Sequence, residues 1–253
     1  MAPREEWDFY LTRIDDKPAS ICLNLGASVD LSLPVRLQVL LKLQWPRPQD
    51  GLSSADEAAT LEAFEDALTT RLCALDAEYV GRWTCVGKRE YVFYAHSDAG
   101  FAHATGSVQR EFPQYTLKCR AEKDPDWLMF EEQLRPDALE MQWIFDRRVV
   151  DELEHNGDLA ELPRPVDHYV YFDDAARRDA FIAAASAQGF TALPNQGDEP
   201  LGVHLVREDS IVLAHIHEVV LGLIALAELH GGDYDGWGAP VAKRPQGERA
   251  AGP

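Results

Sequence analysis

The chain has 253 residues, 46% hydrophobic and 26% charged, a balance that excludes a disordered or collagen-like polypeptide. That length accommodates one large domain or two small ones, and two is the expectation. A formal net charge of -19 at pH 7 argues against direct binding of nucleic acid, because a surface of that sign repels phosphate backbones.

Met1 to Glu6 lacks the apolar core of a signal peptide, and no stretch reaches membrane-spanning length. Trp7 to Thr12 and Ala19 to Leu25 predict a hairpin around Asp15-Asp16-Lys17-Pro18. Arg36 to Gln44 places Leu37, Val39, Leu41 and Leu43 at period two, a half-buried strand. Ser54 and Glu57 have capping-box spacing, and Ala58, Leu61, Phe64, Leu68, Leu72 and Leu75 then recur at helical intervals. Tyr79 to Cys85 and Tyr91 to Ala95 predict strands joined near Gly87-Lys88. A second helix carries Phe101, Ala104, Thr105, Val108 and Phe112 on one face, Pro113 bounds it, and Tyr115, Leu117 and Cys119 alternate in a strand. From Arg36 onward this is strand, helix, strand, strand, helix, strand, the split βαβ order of ferredoxin-like domains.

Beyond Lys123-Asp124-Pro125 the character changes. Trp127 to Leu134 and Asp137 to His155 predict connector helices, and Leu162-Pro163-Arg164-Pro165 a stiff linker. His168 to Phe172 then predicts a strand, with Asp173 or Asp174 capping a helix that presents Ala180, Phe181 and Ala184 and ends at Gly189. Phe190 to Leu193 and Leu201 to Arg207 are strands around a loop of residues 194–200. From Ile211 to Leu229 only His215, His217, Glu218 and Glu228 are polar, which predicts a mostly buried helix stopped by Gly231-Gly232. Ile216, Val220, Leu223 and Ala227 form its sheet-facing stripe, and Gly222 on the opposite side predicts close approach of another element. A last strand contains Gly236. The expected architecture is therefore α+β: two ferredoxin-like modules, 1–125 with an extra N-terminal hairpin and 167–241, joined by a connector over 126–166 and followed by a disordered tail over 242–253.

Signs of catalysis are absent. The chain has no G-x-S-x-G, P-loop, H-E-x-x-H or G-x-G-x-x-G motif, and no catalytic residue, cofactor or metal is assigned. His215 and His217, two apart on a helix, diverge too far to share a metal, and His204 has no carboxylate at useful spacing. Asp233-x-Asp235-Gly236 opens like a calcium loop but lacks the closing Glu. Cys22, Cys73, Cys85 and Cys119 are isolated, as reduced thiols of a cytoplasmic protein would be. Residues 167–240 hold 12 acidic against 3 basic residues, a composition that suits a basic protein partner and equally serves solubility. In a regular strand Asp233, Asp235 and Trp237 share one face and Tyr234 the other. That face is either the edge of a core or a patch for an arginine-rich peptide.

The run Gly232-Asp233-Tyr234-Asp235-Gly236-Trp237-Gly238-Ala239-Pro240-Val241 after an apolar helix resembles the end of the regulator of ribonuclease E activity B family, and Trp7 to Leu134 resembles a family of unknown function found ahead of such domains. The resemblance implies a non-catalytic cytoplasmic regulator that binds ribonuclease E or a related RNA-degradation factor. The run is either an interface or a fold signature, and the resemblance does not decide between them; as an interface it puts partner binding at Asp233, Tyr234, Asp235 and Trp237, with Gly231, Gly232 and Gly236 shaping the backbone. The familiar regulator ends in an acidic extension, whereas this chain ends in Lys243-Arg244-Pro245-Gln246-Gly247-Glu248-Arg249. The alternative is an enzyme or small-ligand-binding protein with a site between the modules, lined by His204, His215 or clustered carboxylates.

Overall fold

The computed structural model describes residues 5–194 and 201–244, and the chain divides into two compact units, Met1–Met141 and Gln142–Pro253. Each is α+β, with one antiparallel sheet and packed helices. No helix among the described residues is long and apolar enough to cross a membrane.

In unit 1 the hairpin forms from β1 (Trp7–Ile14) and β2 (Lys17–Asn24). Its turn is narrower than expected: only Asp15 and Asp16 leave the ladder, at φ +48° and +60°, and Pro18 already pairs with Arg13. Two successive left-handed residues match the twist of a two-residue hairpin, and Asp enters that region more readily than most residues. There follow β3 (Val35–Lys42), α1 (Ala55–Cys73), β4 (Glu78–Cys85), β5 (Lys88–Ala95), α2 (Phe101–Glu111) and β6 (Lys118–Lys123). The sheet order is β1-β2-β4-β5-β3-β6, so β5 lies between the two strands that α1 joins. Leu61, Phe64, Leu68 and Leu72 of α1 bury against Val39 and Leu41 of β3 and Tyr91 and Phe93 of β5, as their helical spacing predicts.

The capping box does not form. Ser54 makes no side-chain bond to α1, and the buried Glu57 carboxylate instead accepts from the backbone N–H groups of Gln44 (2.9 Å) and Trp45 (3.0 Å) and from the Tyr115 hydroxyl (2.8 Å). Three donors outside the helix outweigh the single N–H that a capping box would satisfy. Tyr115 is thereby drawn into the helix-covered core ahead of β6, edge to face with Phe64. β6 itself is an edge strand exposed along its whole length, so no buried face imposes the alternation expected of Tyr115, Leu117 and Cys119.

Residues 126–166 are not a free-standing connector. Asp124 accepts from the N–H groups of Leu128 (2.8 Å) and Met129 (3.2 Å) and from the Tyr94 hydroxyl (2.7 Å), and Arg36 pairs with it at 3.1 Å. These bonds lay Trp127 flat on Tyr94, with centroids 4.1 Å apart, and a π turn over Phe130–Leu134 takes the place of the first expected helix. The Tyr10 hydroxyl donates to the Leu134 carbonyl, so this segment belongs to unit 1. The unit boundary falls inside α3 (Ala138–His155), whose Val149, Val150 and Leu153 pack with Val166, Ile211, Ile216 and Val220 of unit 2.

Unit 2 contains β7 (Arg164–Phe172), α4 (Ala175–Ser186), β8 (Thr191–Leu193), β9 (Gly202–Asp209), α5 (Leu213–Leu229) and β10 (Gly232–Gly238), in the sheet order β10-β7-β9-β8. Half of the expected linker is strand, since Arg164 and Pro165 open β7 opposite Asp209 and Glu208. Proline is tolerated there because it stands at a strand start. Asp174 rather than Asp173 caps α4, accepting from the Arg177 N–H, and α4 buries Phe181 and Ala185 while Ala180 stays exposed. Residues 195–200 of the expected loop lie outside the described residues. Ile216, Val220, Leu223 and Ala227 are the buried stripe of α5, as predicted. Gly222 is not a close-approach site: a Cβ there would meet nothing within 4 Å. Ala242, placed in a disordered tail by sequence, is held by N–H donation to Asp158 (2.6 Å) and by accepting from the Leu159 N–H (3.0 Å), while residues 245–253 lie outside the described residues.

Removing the carboxylate that replaces the cap exposes how unit 1 is tied together. Glu57→Ala leaves three donors without their acceptor, the buried Tyr115 hydroxyl among them, and is expected to lower stability by about 2–3 kcal/mol, whereas Ser54→Ala changes it by less than about 0.5 kcal/mol. Denaturant midpoints of the two variants check the contrast.

Candidate functional site

The helix stop before β10 is built as its glycines predict. Gly231 has φ +68°, the left-handed end of a helix, and Gly232 passes under Phe172 so closely that a Cβ would lie 2.3 Å from the ring. β10 then pairs antiparallel with β7, but the register shifts between Tyr234 and Gly236. Asp235 is the extra residue of a bulge, and Gly236 adopts φ +144° to allow it. The bulge overturns the expected sidedness. Tyr234 and Trp237 both turn toward the helices, Trp237 only 9% exposed, while Asp233 and Asp235 stay in solvent.

Behind Trp237 lies a carboxylate that no sequence motif marks. Asp146, on α3, is fully buried and accepts from Trp237 Nε1 (2.8 Å) and Gln142 Nε2 (2.8 Å), and its other oxygen meets His217 Nδ1 at 2.7 Å. Burial pushes its carboxyl above the usual range, against the hydrogen bonds that lower it. Tyr234 meets the buried His168 of β7, with its hydroxyl 2.9 Å from Nδ1. Burial lowers the His168 pKa to about 4 and raises that of Tyr234, so a neutral ring and a protonated phenol share this hydrogen bond. His215 bonds Asp209 (2.9 Å) and His217 bonds Asp146, so the two histidines of α5 serve different partners. Desolvation raises the Asp209 carboxyl, but bonds from Arg207 and His215 bring it below its ordinary value.

The opposite face of the unit 2 sheet carries no helix-facing residue. Paired residues share a face, so the register places Tyr171 beside Asp233, Tyr169 between Gly236 and His204, and Asp167 between Gly238 and Val206. Tyr169 and Tyr171 are 40% and 39% exposed. Tyr169 stacks on His204 with centroids 4.9 Å apart, and His204 Nε2 lies 2.6 Å from an Asp167 oxygen, so this histidine does have a carboxylate partner, one strand away and 37 residues earlier. Unit 1 holds a cavity of about 720 Å³ lined by Trp7, Cys22, Glu65, Cys73, Glu78 and Tyr79. Its Glu65 accepts from the Tyr79 hydroxyl (2.8 Å) and from Arg82 (2.6 Å).

Together these features define an α+β protein of two antiparallel-sheet units, the second acidic and tied internally through its Trp-containing last strand. Residues 5–134 match the Family of unknown function (DUF695), just over half of the chain, and the protein belongs to that family. Residues 143–239 match Regulator of ribonuclease activity B, so along the chain a match to that family follows the first one. No curated protein matches it. Among solved structures, the crystal structure of an unknown protein from Galdieria sulphuraria aligns over 82% of this chain and 99% of its own, at 11% identity and a TM-score of 0.22.

His168 gives unit 2 an acid sensitivity of definite sign. Its pKa is depressed on folding, so its stabilising effect is complete above about pH 6.5 and is lost as pH falls toward 4, because the unfolded chain takes up the proton first. The loss approaches roughly 3 kcal/mol. Asp146, shifted upward, acts with the opposite sign, so the comparison with His168→Phe isolates the histidine. Denaturant midpoints between pH 7 and 4 should fall more steeply in the wild type than in that variant.

Proposed function

We propose that this protein is a non-catalytic cytoplasmic regulator that binds a basic segment of ribonuclease E, or of a related RNA-degradation component, through its C-terminal unit. The observation that carries the reading is the match of residues 143–239 to Regulator of ribonuclease activity B. The acidity of that unit fits a basic protein partner and disfavours direct contact with RNA. Asp233 and Asp235 are the contact residues, because both are exposed on β10 and lie outside the inward contacts of Tyr234 and Trp237. Tyr234 and Trp237 act indirectly, by fixing the strand through His168 and Asp146. Both units are ferredoxin-like modules on this reading: in each, a strand inserted between the two that the first helix joins supports the split βαβ arrangement. The N-terminal unit adjusts which target is engaged.

Purified full-length protein should bind purified ribonuclease E at low salt, and binding should weaken steeply as salt rises. Asp233→Lys with Asp235→Lys should reduce affinity about tenfold or more at unchanged thermal stability. Equal binding by the double variant, or no binding by the wild type, overturns the proposal.

A further inference from the structure

The open face of the unit 2 sheet has a composition that the fold does not require. Gly236 is explained by its φ of +144°, but Gly238 has no left-handed backbone, and a Cβ on it would meet nothing within 4 Å. These two glycines leave Tyr169 and Asp167 uncovered on the β10 side. The result is a shallow trough with an aromatic floor, Tyr169 stacked on His204 and Tyr171 one pair further along. Carboxylates border it: Asp233 beside Tyr171, Asp167 beneath the glycines and Glu208 beyond them. No lysine or arginine of the described sheet points to this side, since Arg207 lies over Phe190 on the helix-covered side, bound by both oxygens of Asp209.

Exposed aromatic rings on an open sheet are also how proteins stack single-stranded nucleic acid, but such platforms pair the rings with a positive groove. Here carboxylates stand where the cations would be, and the phosphate backbone would meet like charge. The complementary ligand is a flat cation. A guanidinium stacks on tyrosine and imidazole faces and forms paired hydrogen bonds to a carboxylate beside them, which a lysine ammonium cannot do in the same plane.

We propose that this face docks an arginine-containing extended segment of a protein partner, with one guanidinium stacked on Tyr169 or Tyr171 and bonded to Asp233 or Asp167. The proposal deepens the regulator reading and rests on it for the partner's identity, not for the chemistry of the face.

The test titrates the full-length protein with three probes: a short alternating Arg-Gly peptide, its Lys-Gly counterpart and a single-stranded oligouridylate, followed by backbone amide shifts. The Arg-Gly peptide should move Tyr169, Tyr171, His204, Gly236 and Gly238 and bind several-fold more tightly than the lysine peptide. Gly238→Leu, which fills the trough where no atom stands, and Tyr169→Ala should each weaken it about five- to tenfold, and Tyr169→Phe should restore it. Unchanged affinity in Gly238→Leu and Tyr169→Ala, shifts confined to other surfaces, or tighter binding of the oligouridylate overturns the proposal. Ribonuclease E binding that survives both substitutions removes this face and leaves the regulator reading standing. Arginine-peptide binding without ribonuclease E binding does the reverse.

Discussion

Asp146 places a carboxylate where water does not reach, and an unpaired ion there would destabilise the unit by several kcal/mol. Its position is tenable because Trp237, Gln142 and His217 all turn toward it. That single requirement links α3, α5 and β10, elements far apart in sequence. It explains why α3 packs with the C-terminal sheet from Val149 onward, and why the indole of the last strand faces inward. Bulge, glycine and buried tryptophan form one arrangement: the extra residue at Asp235 rotates Trp237 onto the helix side, and Gly236 supplies the backbone angle that makes the rotation affordable.

The same rotation separates the two roles of the final strand. Its aromatic residues hold the strand from inside, through polar atoms that must find partners once buried. Its carboxylates, relieved of that task, remain in solvent beside a row of exposed tyrosines. A surface that is acidic and aromatic, with no lysine or arginine on that side of the described sheet, has a restricted set of complementary ligands, and a positively charged polypeptide is foremost among them. Unit 1 follows a different logic: helices pack on one face of its central strands, and the Trp127 segment, fixed by Asp124, packs on the other. Its most buried ionic group, Glu57, is occupied by backbone and phenol donors and has no free oxygen to offer a substrate.

Much of this architecture is legible in the residues. The helices at Leu61 to Leu72 and Ile216 to Ala227 declare themselves because burial against a sheet selects one apolar side chain per turn. The hairpins and the Gly231 stop follow from backbone angles that few residue types adopt. Misread segments share a cause. Tyr115, Trp127 and Glu57 sit where they do because partners dozens of residues away accept or donate a hydrogen bond, and local spacing carries no record of such partners. Gly222 looked like a contact site only because glycine in a helix usually has a reason, and here none is visible among the described residues.

Sequence alone determined the charge, the order of strands and helices in each unit, the apolar stripe of α5 and the identity of the closing motif, since each depends on composition or on neighbours a few residues apart. Tertiary structure decided which way the motif faces. A strand of alternating residues would have set Trp237 beside Asp233 and Asp235, but one unpaired residue inverts everything after it, and only pairing with β7 reveals that residue. It also decided that His204 has a carboxylate partner and that Asp146 is the centre of unit 2, because both depend on side chains meeting across strands and helices that the chain order keeps apart.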